Sequence, residues 1–71
     1  MPDRPRLLDV VALLDDLPDA GLPRGHLGTV VELLDPPAVL VEFSDEEGRA
    51  YAVRPVAADR LLMLHYAPAA A

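Results

Sequence analysis

Hydrophobic and polar positions alternate most regularly in "AVLVEFS", residues Ala38–Ser44, where Val39, Val41 and Phe43 share one side and Leu40, Glu42 and Ser44 the other. A period of two predicts a strand with one buried face and one mostly solvated face. "AYAVRP" repeats the pattern from Ala50, setting Tyr51 and Val53 against Ala50, Ala52 and Arg54. Pro55 is expected to end that strand, because proline cannot donate to a ladder. The intervening "SDEEGR" reads as a tight hairpin, a type I turn over Asp45, Glu46 and Glu47 with Gly48 in the left-handed region. Upstream, "TVVELL" from Thr29 to Leu34 is rich in β-branched residues and predicts another strand, stopped by Asp35-Pro36-Pro37.

The ends of the sequence do not alternate. In "LLDVVALLDDL", residues Leu7–Leu17, a helical face would gather Leu7, Val10, Val11 and Leu14. Paired valines, and closure on Asp15, Asp16 and Pro18, favour a strand at about residues 9–14. "LLMLHY", Leu61–Tyr66, predicts the last strand, with one helical turn in the preceding "VAADRL". Each of these two strands is apolar on both sides, whereas the interior of a small domain takes only one. If the two strands are neighbours, Leu7, Val11 and Leu13 of the first and Leu62, Leu64 and Tyr66 of the last are expected to face outward together. Such a patch, on the order of a few hundred Å², has the size of an interaction site. The competing expectation is that the long loop covers it through Leu17 and Leu22.

That loop, "DDLPDAGLPRGHLG", is punctuated by prolines and glycines and predicts an ordered surface excursion. The pattern as a whole predicts an all-β fold. It is a small five-stranded SH3-like barrel with a long loop after the first strand and a 3₁₀ turn before the last. Residues 1–6 read as a flexible N-terminal arm, 7–66 as the domain and 67–71 as a flexible Ala/Pro tail. Gly25 and Gly28 then have backbone meanings, Gly25 turning the loop and Gly28 starting a bent strand. A phosphate-binding loop is disfavoured: no Gly-Lys-Ser/Thr follows, and valines rather than a helix come next.

Composition narrows the function classes. The 71 residues suffice for one small domain, and there is no cysteine to staple it. Twelve acidic residues against six arginines give a net charge of −6. An acidic domain repels phosphate backbones, and three aromatic residues, Phe43, Tyr51 and Tyr66, make a thin stacking platform. Asp15, Asp16 and Asp19 lack the ligand spacing of a calcium loop. His26 and His65 have no third ligand beside them, and no nucleophile pairs convincingly with either. These features predict a non-enzymatic protein without metal or cofactor. The absence of an apolar run of ~18 residues and of an apolar leader in "MPDRPR" predicts a cytoplasmic location without membrane contact.

The segment "DVVALLDDLPDAGLPRGHLGTVVELLDPPAVLVEFSDEEGRAYAV" resembles the small bacterial DUF4926 family. The shared pattern is D-V-V-A-L, D-L-P, G-L, R-G, G-T-V-V-E, V-E-F and a closing leucine strand, over about residues 9–64. The resemblance implies an SH3-like fold and no assigned activity. The expected function is therefore a protein-interaction module: an accessory subunit, or an immunity or antitoxin-type partner. Its partner is expected to be a homodimer copy or the product of a neighbouring gene, and not nucleic acid. The alternative is a KOW-like nucleic-acid- or ribosome-associated barrel, since "GHLGTV" matches that motif's spacing while Arg24 is the only basic residue near it.

Overall fold

A computed structural model describes residues 4–64, with the side chain of Tyr51 excepted. Its elements are β1 (Val10–Leu13), a 3₁₀ turn (Pro18–Ala20), β2 (Leu27–Leu33), β3 (Ala38–Ser44), β4 (Ala50–Ala57), a second 3₁₀ turn (Ala58–Arg60) and β5 (Leu61–Met63). The strands form one antiparallel sheet in the order β4-β3-β2-β1-β5. The first and last strands are neighbours, as expected, and β4 and β5 are the edges. Of the expected last strand, His65 and Tyr66 lie outside the described residues, as does the tail at 67–71.

Alternation in β3 becomes burial directly. Val39, Val41 and Phe43 point into the core, while Leu40, Glu42 and Ser44 are half-exposed. Val11 and Leu13 of β1, Val30 of β2, Val56 of β4 and Leu61 of β5 join them. The ninth core side chain is Leu22, which belongs to no strand. It is carried in by the loop after β1, where Leu17 and Leu22 exchange backbone hydrogen bonds at 2.7 and 3.0 Å around the first 3₁₀ turn. Gly21, with φ +68°, closes that turn. The loop is thus an ordered excursion, as expected, and it also contributes part of the core.

The start of β2 and the end of β4 each depart from the sequence expectation by more than one residue. β2 begins at Leu27 rather than Thr29, so Gly28 lies one residue inside the strand instead of starting it. β4 runs through Pro55 to Ala57 instead of stopping there. The reason is register. Ala58 N–H donates to Pro37 O at 2.8 Å beyond the Ala38/Ala57 pair, which marks that pair as a non-hydrogen-bonded one. Two residues back, Leu40/Pro55 is the same type, so the proline nitrogen faces the free edge and no ladder bond is lost.

The β3–β4 hairpin turns as its sequence predicts. Gly48 has φ +82°, and Gly48 N–H donates to Asp45 O at 3.0 Å. Asp45 Oδ1 also accepts from the N–H groups of Glu47 and Arg49, both at 2.9 Å. Within the arm expected over residues 1–6, Pro5 is buried and Arg6 N–H donates to Asp9 Oδ2 at 2.8 Å.

Candidate protein interface

The outer face of the sheet is fixed by cross-strand pairing, because directly paired residues project to the same side. Phe43 is inward and pairs with Gly28, which in turn pairs with Val11. Val11 is therefore inward, and Leu13, two residues on, follows it. Their exposures are 0% and 2%. This corrects the expectation that Val11 and Leu13 face outward with Leu62: they are core residues, and the outward side of β1 is Val10 and Ala12.

Ala12 pairs with Leu27 on one side and Leu62 on the other. The result is an outward row Leu62–Ala12–Leu27 across β5, β1 and β2. Its two leucines are 51% and 52% exposed. A parallel row runs from Val10 through Thr29 and Glu42 to Val53. Polarity thus rises toward β3, and the apolar part of the outer face sits at the β5 side. Leu14, just past β1, is exposed, and Leu64, whose N–H donates to Val10 O at 3.0 Å, is half-buried. Leu7 is exposed and stands in the turn before β1. Tyr66 lies outside the described residues. Leu17 and Leu22 pack into the core, not over this face.

The glycines separate into two kinds. Gly25 has φ +89° and turns the loop, its N–H donating to Leu13 O at 2.7 Å. Gly28 has no such φ; it is required by space. A β-carbon there would lie 2.5 Å from Val41 Cγ1 and 2.9 Å from Phe43 Cδ1. No phosphate cradle is built from the pair: Gly28 is buried in a strand whose next residues continue the ladder.

Two hollows flank the sheet. A shallow groove of about 530 Å³ runs along Val10, Leu27 and Thr29 to a wall formed by Ser44, Asp45 and Glu46. A smaller one, about 240 Å³, is framed by Arg4, Pro5, Leu33, Pro36 and Pro37. Several acidic residues serve the backbone. Asp16 Oδ1 accepts from Arg24 N–H at 2.7 Å, and Asp45 organises the hairpin, with Arg49 bonded to Glu47. The half-buried His26 ring meets Phe43 edge-on, with centroids 6.0 Å apart. Among the described residues, no three His, Asp or Glu side chains gather as metal ligands, and no helix is long and apolar enough to cross a membrane.

The model of the domain of unknown function DUF4926 matches residues 7–63, from the turn before β1 to the end of β5. The chain belongs to the DUF4926 family. The match takes in every element that builds the outward row, so the row lies within the DUF4926 domain itself. No curated protein and no solved structure matches the chain.

The expected apolar outer patch lies on the terminal strands, but with the opposite face of β1 outward. Val10 and Ala12 escape a sequence reading because β1 is apolar on both sides, and Leu27 because β2 is expected to begin only at Thr29. The signal was available in Gly28: a glycine facing an aromatic residue across a ladder marks the inner face.

Proposed function

We propose that this DUF4926 domain is a non-enzymatic, cytoplasmic protein-interaction module of SH3-like type, which docks another protein on the outer face of β5, β1 and β2. The observation that supports this reading is the Leu62–Ala12–Leu27 row. Two half-exposed leucines flank a nearly covered alanine on three paired strands. Flat apolar surface held on paired strands is what a partner can bury without ordering a loop. An accessory role, or that of an immunity or antitoxin-type partner, is compatible with the acidic net charge of −6, which opposes nucleic acid.

The test is a pair of surface variants. Leu27→Lys and Leu62→Lys each place a charge on the outer row while leaving the core unchanged. Wild-type protein is expected to bind a hydrophobic dye and to retain a partner from its native host, and both variants are expected to lose both properties with little change in melting temperature. Equal dye and partner binding by all three proteins would refute the assignment of the face.

A further inference from the structure

The two edges of the sheet are treated differently by the sequence. The β4 edge carries Arg54 and Pro55, and the nitrogen of Pro55 faces outward, where a donor would otherwise recruit another strand. Charge and proline are common protections against edge-to-edge pairing. The β5 edge has neither: Leu61, Leu62, Met63 and Leu64 are all uncharged and none is proline.

The register identifies which β5 groups face away from β1. Leu14 N–H donates to Arg60 O at 2.9 Å and Leu64 N–H to Val10 O at 3.0 Å. These bonds make Leu13/Leu61 and Val11/Met63 non-hydrogen-bonded pairs, and Ala12/Leu62 the pair that exchanges bonds. The N–H and C=O of Met63 and the C=O of Leu61 therefore point away from β1. Leu61 N–H is taken by Ala58 O at the end of the 3₁₀ turn.

We propose that a second copy of this chain docks here, β5 against β5, through main-chain bonds at Met63 and burial of Leu62 beside its counterpart. This rests on the interaction reading above and names its partner. Three observations favour a copy over another protein. The surface is self-complementary, since an edge without charge or proline over Leu61–Leu64 in one copy meets the same edge in the other under two-fold symmetry. The apolar row would continue across the junction as Leu27–Ala12–Leu62 followed by the partner's Leu62, with no charged residue among them. The acidic hairpin, Asp45–Glu47, adjoins β4 at the opposite edge, so two chains of net charge −6 can meet with that cluster held apart. A 71-residue domain without cysteine also gains stability from association more than a larger one would.

Sedimentation and light scattering over a wide concentration range test this, with two variants. Met63→Pro copies onto β5 the device that β4 uses, removing an edge donor that β1 does not need. Leu62→Lys charges the outer row and leaves the ladder intact, and it carries the test if the proline variant fails to fold. Wild type is expected to rise from 7.6 kDa toward twice that mass. Each folded variant is expected to weaken association about tenfold or more. Wild type that stays monomeric, or a dimer unaffected by Leu62→Lys, overturns the proposal. A monomer whose host partner is lost on Leu62→Lys refutes the dimer and keeps the interaction reading. A monomer that binds neither partner nor dye refutes both.

Discussion

Gly28 faces the ring of Phe43 across the β2–β3 ladder, and a β-carbon at position 28 would stand 2.9 Å from Cδ1 of that ring. Val41 Cγ1 would be closer still, at 2.5 Å. Both neighbours are fully buried, and the valine is stiff about χ1, so neither yields easily. Overpacking of this kind costs about 1–3 kcal/mol, against about 0.4–1 kcal/mol recovered from a less flexible unfolded chain. Gly28→Ala should therefore lower stability in chemical denaturation, and Gly28→Val should lower it further. Unchanged midpoints would show that the core has room the geometry denies.

Leu22 is the core residue supplied by the loop. Leu22→Ala should destabilise by about 2–5 kcal/mol, as large-to-small core changes do. The same change at exposed Leu14, close by in the chain, should cost well under 1 kcal/mol, since surface substitutions usually stay within about ±0.5 kcal/mol. Thermal melts of the two variants check the contrast. Equal effects would mean that the loop is peripheral to stability.

Leu8 adopts φ +70°, a region that a branched side chain rarely visits. Asp9 N–H donates to Arg6 O at 3.1 Å, closing a turn in which Leu8 is the third residue, the place where glycine or asparagine is usual. The leucine side chain is 77% exposed and so contributes little burial. Leu8→Gly should leave stability unchanged or raise it by up to about 1 kcal/mol, relief of backbone strain offsetting the entropy of glycine. A clear loss in denaturation would show that the side chain contributes packing.

How far the fold could be read from the chain depended on contrast between faces. β3 was legible because Val39, Val41 and Phe43 alternate with polar or less buried positions. β1 was legible as a strand but not in orientation, since a shift of one residue exchanges two equally apolar faces. Only its pairing with Gly28, itself set by Phe43, decides that Val11 is inside. Pro55 misled because its effect depends on which way its nitrogen points, a property of register rather than residue type. Leu22 entered only the competing expectation, as a cover for the outer patch, because nothing local distinguishes a loop leucine that lies on a sheet from one that enters its core.

The acidic balance carries its own expectation. Binding to single- and double-stranded RNA and DNA at low salt should be undetectable at micromolar protein, since affinity for phosphate backbones depends on basic side chains. Micromolar binding that weakens steeply with added salt would instead favour a KOW-like role.

Protein partners are proposed to meet the outer face of β5, β1 and β2. An amide chemical-shift map locates the contact, recorded as the protein associates with its own copy on concentration or with a captured partner on titration. The largest changes are predicted at Val10, Ala12, Leu27, Leu62 and Met63, with Asp45–Gly48 nearly unmoved. Changes centred instead on that hairpin, or on the hollow framed by Arg4, Leu33 and Pro36, would contradict it.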